Sequence, residues 1–162
     1  MPLGSAETLA LAWMMGSGKS TVAAILGRLT GRRVVCVDDA IARAAGKPIP
    51  AVFAEDGEPR FRQLEREAIA ALPAGVVADL GGGAFCDPAN AARLLSVARV
   101  VFLDVSGAAA ARRLGDGEGR PLAARWDELL ARRLPLYRRA HLTVRVDGLT
   151  PDAVARRILE AL

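Results

Sequence analysis

The chain has 162 residues, 52% hydrophobic and 25% charged, with 22 lysines and arginines against 18 acidic residues for a net charge of +4. That length supports one domain able to bury about 68–70% of its unfolded surface, and no apolar run approaches the roughly 18 residues of a membrane span. Two cysteines, Cys36 and Cys86, lack metal-ligand spacing and His141 is the only histidine, which argues against a zinc site and predicts a reduced, cytoplasmic protein without a secretory leader. The basic excess is nearly all arginine, the lysines being Lys19 and Lys47. Arginine's planar fork suits carboxylates and phosphates. With aromatics at 4% and no dense basic run, small anions are the expected ligands, not nucleic acid or membrane.

In chain order, Leu9–Met14 reads as a buried strand and Lys19–Leu29 as the helix after it, ended by Thr30-Gly31. Arg33–Val37 is a second strand with Asp38 and Asp39 at its end. Ile41–Ala45 and Ile49–Phe53 read as short helices. Phe61–Leu72 has helical spacing and stops at Pro73. Val76–Leu80 is a third strand, followed by Gly81-Gly82-Gly83. Pro88–Val97 is helical, with Asp87 placed to cap it. Val100–Val105 is a fourth strand. Ala108–Leu114 is helical, and Gly115-Asp116-Gly117-Glu118-Gly119 is a polar loop. Leu122–Leu134 is a helix, Thr143–Val146 a fifth strand, and Pro151–Leu162 a closing helix.

Alternating strands and helices predict an α/β fold: one three-layer domain over 1–162, with a five-stranded parallel sheet and helices on both faces. Ligands on such sheets bind beyond the C-terminal ends of the strands. The segment Gly16-Ser17-Gly18-Lys19-Ser20-Thr21 falls there, between the first strand and the first helix. Its amides and the helix N-terminus suit a polyphosphate, Lys19 can reach the terminal phosphates, and the Ser20 hydroxyl can sit on Mg²⁺. Asp38, Asp79 and Gly81–Gly83 lie at the same edge, so one active site is expected.

Further features follow at fixed intervals: Asp38 with Ile41; Phe61-Arg62 with Glu65; Gly81-Gly82-Gly83; Arg120-Pro121-Leu122; and Arg133-Leu134-Pro135-Leu136-Tyr137. In this order, together with Gly46-Lys47-Pro48-Ile49-Pro50, they resemble the shikimate kinase family over nearly the whole chain. The resemblance implies a nucleoside-monophosphate-kinase-like P-loop fold with a mobile lid at about 113–124. It implies transfer of the γ-phosphate of ATP, with Mg²⁺, to the 3-hydroxyl of shikimate, in a cytoplasmic monomer. It further implies that Asp38 holds the accepting hydroxyl and helps remove its proton. Arg62 and Arg133 would grip the carboxylate and Glu65 would orient Arg62. Gly81, Gly82 and Gly83 would meet the ring hydroxyls, Phe53 and Phe61 would wall the pocket, and Met15 would touch the substrate. Gly16 to Thr21 would hold the nucleotide, Arg113 would lie under adenine, and Arg120 would reach the transferring phosphate. Phosphoryl transfer asks for this kind of help, since it rests on in-line positioning and positive charge. Tyr137 reads as packing and Cys86 as a small inert hydrophobe.

The chain departs from the pattern at two places. Trp13 stands where the phosphate-binding motif has glycine, and an aromatic there is expected to strain a positive-φ backbone and weaken ATP binding. Cys36 stands where the family has a carboxylate that supports the Mg²⁺ water shell, and a thiol suits that ion poorly. Strand alternation would turn Asp39 away from the side Asp38 faces. Asp79 lies where many phosphate-loop enzymes carry a metal-supporting carboxylate, and is expected to take over that role. The alternatives are a non-catalytic relative, favoured by Trp13 and Cys36, and a kinase for another hydroxy acid such as gluconate.

Overall fold

The computed structural model describes residues 2–13, 19–106 and 126–162. The strands are β1 (Thr8–Ala12), β2 (Val34–Cys36), β3 (Val77–Asp79), β4 (Ala98–Asp104) and β5 (Leu142–Arg145). The α-helices are α1 (Lys19–Thr30), α2 (Val37–Ala45), α3 (Ile49–Ala51), α4 (Glu58–Ala70), α5 (Pro88–Val97), α6 (Trp126–Tyr137) and α7 (Pro151–Ala161). A π-helical turn, Val52–Asp56, joins α3 to α4, and a 3₁₀ turn, Ala84–Cys86, precedes α5. Asp87 caps α5 as expected, accepting from the amides of Ala89 and Asn90 at 3.0 Å and 3.1 Å.

The five strands pair in parallel in the order β2-β3-β1-β4-β5. Every residue of β1 is buried, with no in–out alternation. That is the signature of a strand covered on both faces. Helices α1 and α7 pack together, and α2, α4 and α5 form a second packed group. Leu9, Leu11, Leu26, Ile41, Leu80, Phe102 and Leu103 fill the core.

The connection after β1 runs out to β2 at one edge, and the connection after β3 runs to β4 on the other side of β1. Chain direction therefore diverges between β1 and β3, where an open α/β sheet leaves a crevice beyond its strand ends. Register brings Leu11 of β1, Asp79 of β3 and Cys36 of β2 level at that end.

Three sequence expectations are corrected. The second strand ends at Cys36, so Asp38 and Asp39 sit in the first turn of α2 instead of on a strand, and Cys36 is the residue before the helix. Alternation therefore does not govern the two aspartates: helical rotation leaves Asp38 half-buried and Asp39 exposed. The helix expected to stop at Leu134 runs through Pro135 to Tyr137. A proline removes only one donor, and the buried Tyr137 anchors the last turn against the sheet. Third, no described non-glycine residue has a positive φ, so the backbone strain expected at Trp13 is not there. Its indole is 3% exposed and belongs to the core. The helix and loop expected at Ala108–Leu114 and Gly115–Gly119 lie outside the described residues.

Candidate active site

Ser20, one residue into α1, donates its hydroxyl to Oδ2 of Asp79 at 2.7 Å. Asp79 is 4% exposed at the end of β3. The serine of the phosphate-binding segment and the carboxylate expected to support a metal thus share one spot at the strand ends. These are hard oxygen donors, the kind Mg²⁺ takes. Cys36 lies beside Asp79 in the sheet. Burial pushes its thiol up, with the charges of Asp79, Asp39 and Asp38 adding to the shift and a backbone hydrogen bond at Asp39 opposing it. It stays a neutral thiol and offers a cation little. Among the described residues, no group of three His, Cys, Asp or Glu side chains gathers to hold a metal.

Next to this spot opens a pocket of about 280 Å³, lined by Asp38, Ile49, Phe53, Phe61, Arg62, Glu65, Gly81–Gly83 and Arg133. Phe53 and Phe61 stack at one wall, with ring centroids 4.5 Å apart. The Arg62 guanidinium lies 5.1 Å from the Phe61 ring centroid, within cation–π range. Arg62 donates through Nη1 to Oε1 of Glu65 at 2.9 Å. Glu65 is only 1% exposed. Burial raises its carboxyl above the ordinary range, Arg62 pulls it back, and Asp38 and Asp87 add to the rise. Asn90, buried on α5, points Nδ2 at the same Oε1 from 3.5 Å.

The glycine triplet explains why two arginines and an aspartate fit around one small space. A Cβ on Gly83 would lie 2.8 Å and 2.9 Å from the terminal nitrogens of Arg62 and 3.2 Å from Nη2 of Arg133. The two guanidiniums therefore converge on one point, as a shared carboxylate requires. A Cβ on Gly81 would lie 2.8 Å from Oδ1 of Asp38 and 3.6 Å from Oε2 of Glu65. Each end glycine leaves room for a different charged group, the cationic end at Gly83 and the anionic end at Gly81.

The structure thus gathers Asp38, Arg62, Glu65, Phe53, Phe61, Gly81–Gly83 and Arg133 in one pocket, and Ser20 with Asp79 beside it. Thr21 lies exposed in the first turn of α1. The backbone of Lys19 opens α1, but its side chain lies outside the described part, as do Met15, Gly16, Ser17, Gly18, Arg113 and Arg120. Sequence reasoning missed Asn90, which carries no motif. It also read Tyr137 only as packing, although the residue lies one helical turn after Arg133 and so on the same face.

A parallel sheet in this order, a Gly-x-Gly-Lys-Ser-Thr segment between β1 and α1, and a carboxylate-lined and arginine-lined pocket at the same edge define a P-loop kinase of small molecules. A family model described as "Shikimate kinase" matches residues 15–162. A shikimate kinase from Limosilactobacillus fermentum is 45% identical over 95% of this chain and 94% of its own. The structure of a shikimate kinase from Acinetobacter baumannii in complex with shikimate superposes with a TM-score of 0.89 at 31% identity, covering 96% of this chain and 92% of that one. The chain belongs to the shikimate kinase family and is an ATP-dependent kinase. A gluconokinase from Sinorhizobium meliloti, at 17% identity and a TM-score of 0.60, shares the fold alone.

Proposed function

We propose that the protein transfers the γ-phosphate of ATP to the 3-hydroxyl of shikimate, with Asp38, Lys19 and Arg120 as its catalytic residues. The observation that carries this reading is the convergence of Arg62 and Arg133 on Gly83, across one pocket from Asp38 at Gly81. A ring acid with its carboxylate on the arginines is then held with its far hydroxyls toward Asp38. Asp38 accepts the proton of the attacking hydroxyl, the positioned-base role that phosphoryl transfer needs. Glu65, braced by Asn90, keeps Arg62 aimed at the carboxylate. Phe53 and Phe61 cover the ring and exclude water.

At the donor end, residues 16–21 hold the phosphates, Lys19 and Arg120 bring positive charge to the transferring group, Arg113 lies under adenine, and Met15 meets the acceptor. Mg²⁺ would sit at Ser20 and Asp79, whose oxygens are already in contact, and would neutralise charge on the β- and γ-phosphates. Residues 113–124 serve as the lid. We take the protein to act as a cytoplasmic monomer without nucleic-acid or membrane partners; no helix among the described residues is long and apolar enough to cross a membrane.

Coupled ADP release with MgATP tests the reading directly, using shikimate beside gluconate and other hydroxy acids. Release that requires shikimate and disappears in Asp38→Asn is the expected result. Release driven equally by another acid, or none with any acceptor, would remove it.

A further inference from the structure

Tyr137 is the only tyrosine in the chain and has no part in the chemistry so far. It is fully buried at the end of α6, four residues after Arg133. Its ring stacks on Phe102 of β4, with centroids 4.9 Å apart and planes 12° from parallel. Its hydroxyl lies within hydrogen-bond reach of two main-chain carbonyls, that of Trp13 at 3.1 Å and that of Gly82, and shares its single proton between them. Burial raises the phenol well above its ordinary range, with Cys86 adding to the rise and Arg133 opposing it, which favours the protonated hydroxyl.

The two carbonyls belong to the two halves of the site. Trp13 follows β1, three residues before the phosphate-binding segment begins at Gly16, and Gly82 is the middle of the acceptor wall. Their backbones come close here: a Cβ on Gly82 would lie 3.8 Å from the Trp13 carbonyl oxygen. Stacking on Phe102 needs only a phenyl ring. A buried hydroxyl is costly unless bonded, and this one bonds segments 55 and 124 residues away in sequence.

We propose that Tyr137 is a positioning residue that fixes the spacing between the nucleotide site and the acceptor pocket. In-line transfer depends on this spacing at the scale of about 1 Å. The role rests on the ATP-to-shikimate reading above. Without the hydroxyl, each site keeps its own contacts but the acceptor oxygen meets the γ-phosphorus less often. Water then competes: its oxygen bonds to the γ-phosphorus, the bond to the ADP oxygen breaks, and the proton leaves to solvent.

The test measures ADP and phosphorylated shikimate side by side in wild type and Tyr137→Phe. The expected result is a fall of about tenfold in kcat for phosphorylated shikimate, with the KM values nearly unchanged. The ratio of ADP to phosphorylated product rises above one. A purely structural role would lower the amount of active enzyme and leave that ratio at one, so a ratio of one in the variant overturns the proposal, whatever its activity. Wild type without shikimate-dependent ADP release would overturn the functional reading and this role with it. Wild type with it, beside an unchanged variant, overturns this role alone. The lone tyrosine also permits a measurement on the unmutated chain. With 3-fluorotyrosine incorporated, the single fluorine-19 resonance is expected to shift with MgATP alone and with shikimate alone. A resonance that ignores either ligand overturns the proposal.

Discussion

The donor end of the site is written almost continuously in the chain, from Trp13 to Thr21, whereas the acceptor end draws Asp38 from α2, Arg62 and Glu65 from α4, the glycines from the loop after β3, and Arg133 from α6. On the proposed reading the donor end would rely on main-chain amides and a helix terminus, which local sequence dictates. The acceptor end relies on side-chain charges that meet only after the sheet has ordered its strands. Substitutions at the two ends should therefore fail in different ways: acceptor-end changes act through side-chain reach, donor-end changes through metal and phosphate binding.

The largest expected effect is at Asp38. Asp38→Asn should lower kcat by about 10²- to 10⁴-fold, the usual worth of a positioned base, while both KM values stay close to wild type in steady-state assays. Next come the two glycines, which sharpen the comparison inside the acceptor end. Gly83→Ala crowds Arg62 and Arg133 and should raise the KM for shikimate by about tenfold or more, since hydrogen bonds to charged groups are worth roughly 1.5–3 kcal/mol. Gly81→Ala crowds Asp38 and should act mainly on kcat. Equal KM and kcat profiles for the two variants would break the division drawn from the geometry.

Asp79→Asn is the matching donor-end change. It should raise the Mg²⁺ concentration needed for half-maximal activity and leave the KM for shikimate alone. A magnesium titration indistinguishable from wild type would remove Asp79 from that role.

The acceptor end should also respond to pH through Glu65. Its carboxyl is raised above the ordinary 4.5, so over the interval above that value it is protonated in the fold but ionised in the unfolded chain. Its contribution to stability is therefore fully present at low pH and is lost as pH rises through the folded pKa. Binding runs the other way, because only the ionised carboxylate holds Arg62. The KM for shikimate should fall as pH rises through the same interval, and Glu65→Gln should abolish that limb of the profile. The smallest effect belongs to Asp87, which caps α5 at the turn that carries Asn90. Asp87→Ala should cost about 1 kcal/mol in denaturant unfolding, with a small rise in the KM for shikimate.

The contrast between the ends also explains what could be read in advance. The strand before and the helix after the phosphate-binding segment were legible because their patterns are contiguous, and the parallel sheet because strands and helices alternate along the chain. Arg62, Glu65 and Arg133 were legible only as members of an ordered set, since each alone resembles an ordinary surface charge. Asp38 was placed at a strand end by the apolar run before it, yet the chain enters α2 one residue sooner, at Val37. Strand propensity could not foresee this, because Val37 is buried equally well in a helix. Asn90 was invisible because a buried amide at the third position of a helix has no sequence signature. The Tyr137 hydroxyl was invisible because a tyrosine on an apolar face reads the same whether or not its oxygen is bonded.

The indole at position 13 has a practical consequence. It is one of two tryptophans in the chain, and it adjoins the nucleotide segment from inside the core. In a Trp126→Phe background its emission should be that of a shielded, blue-shifted fluorophore. On the proposed reading of residues 16–21, titration with MgATP should change that emission, so the residue that looked like damage to the motif would serve as an optical gauge of occupancy.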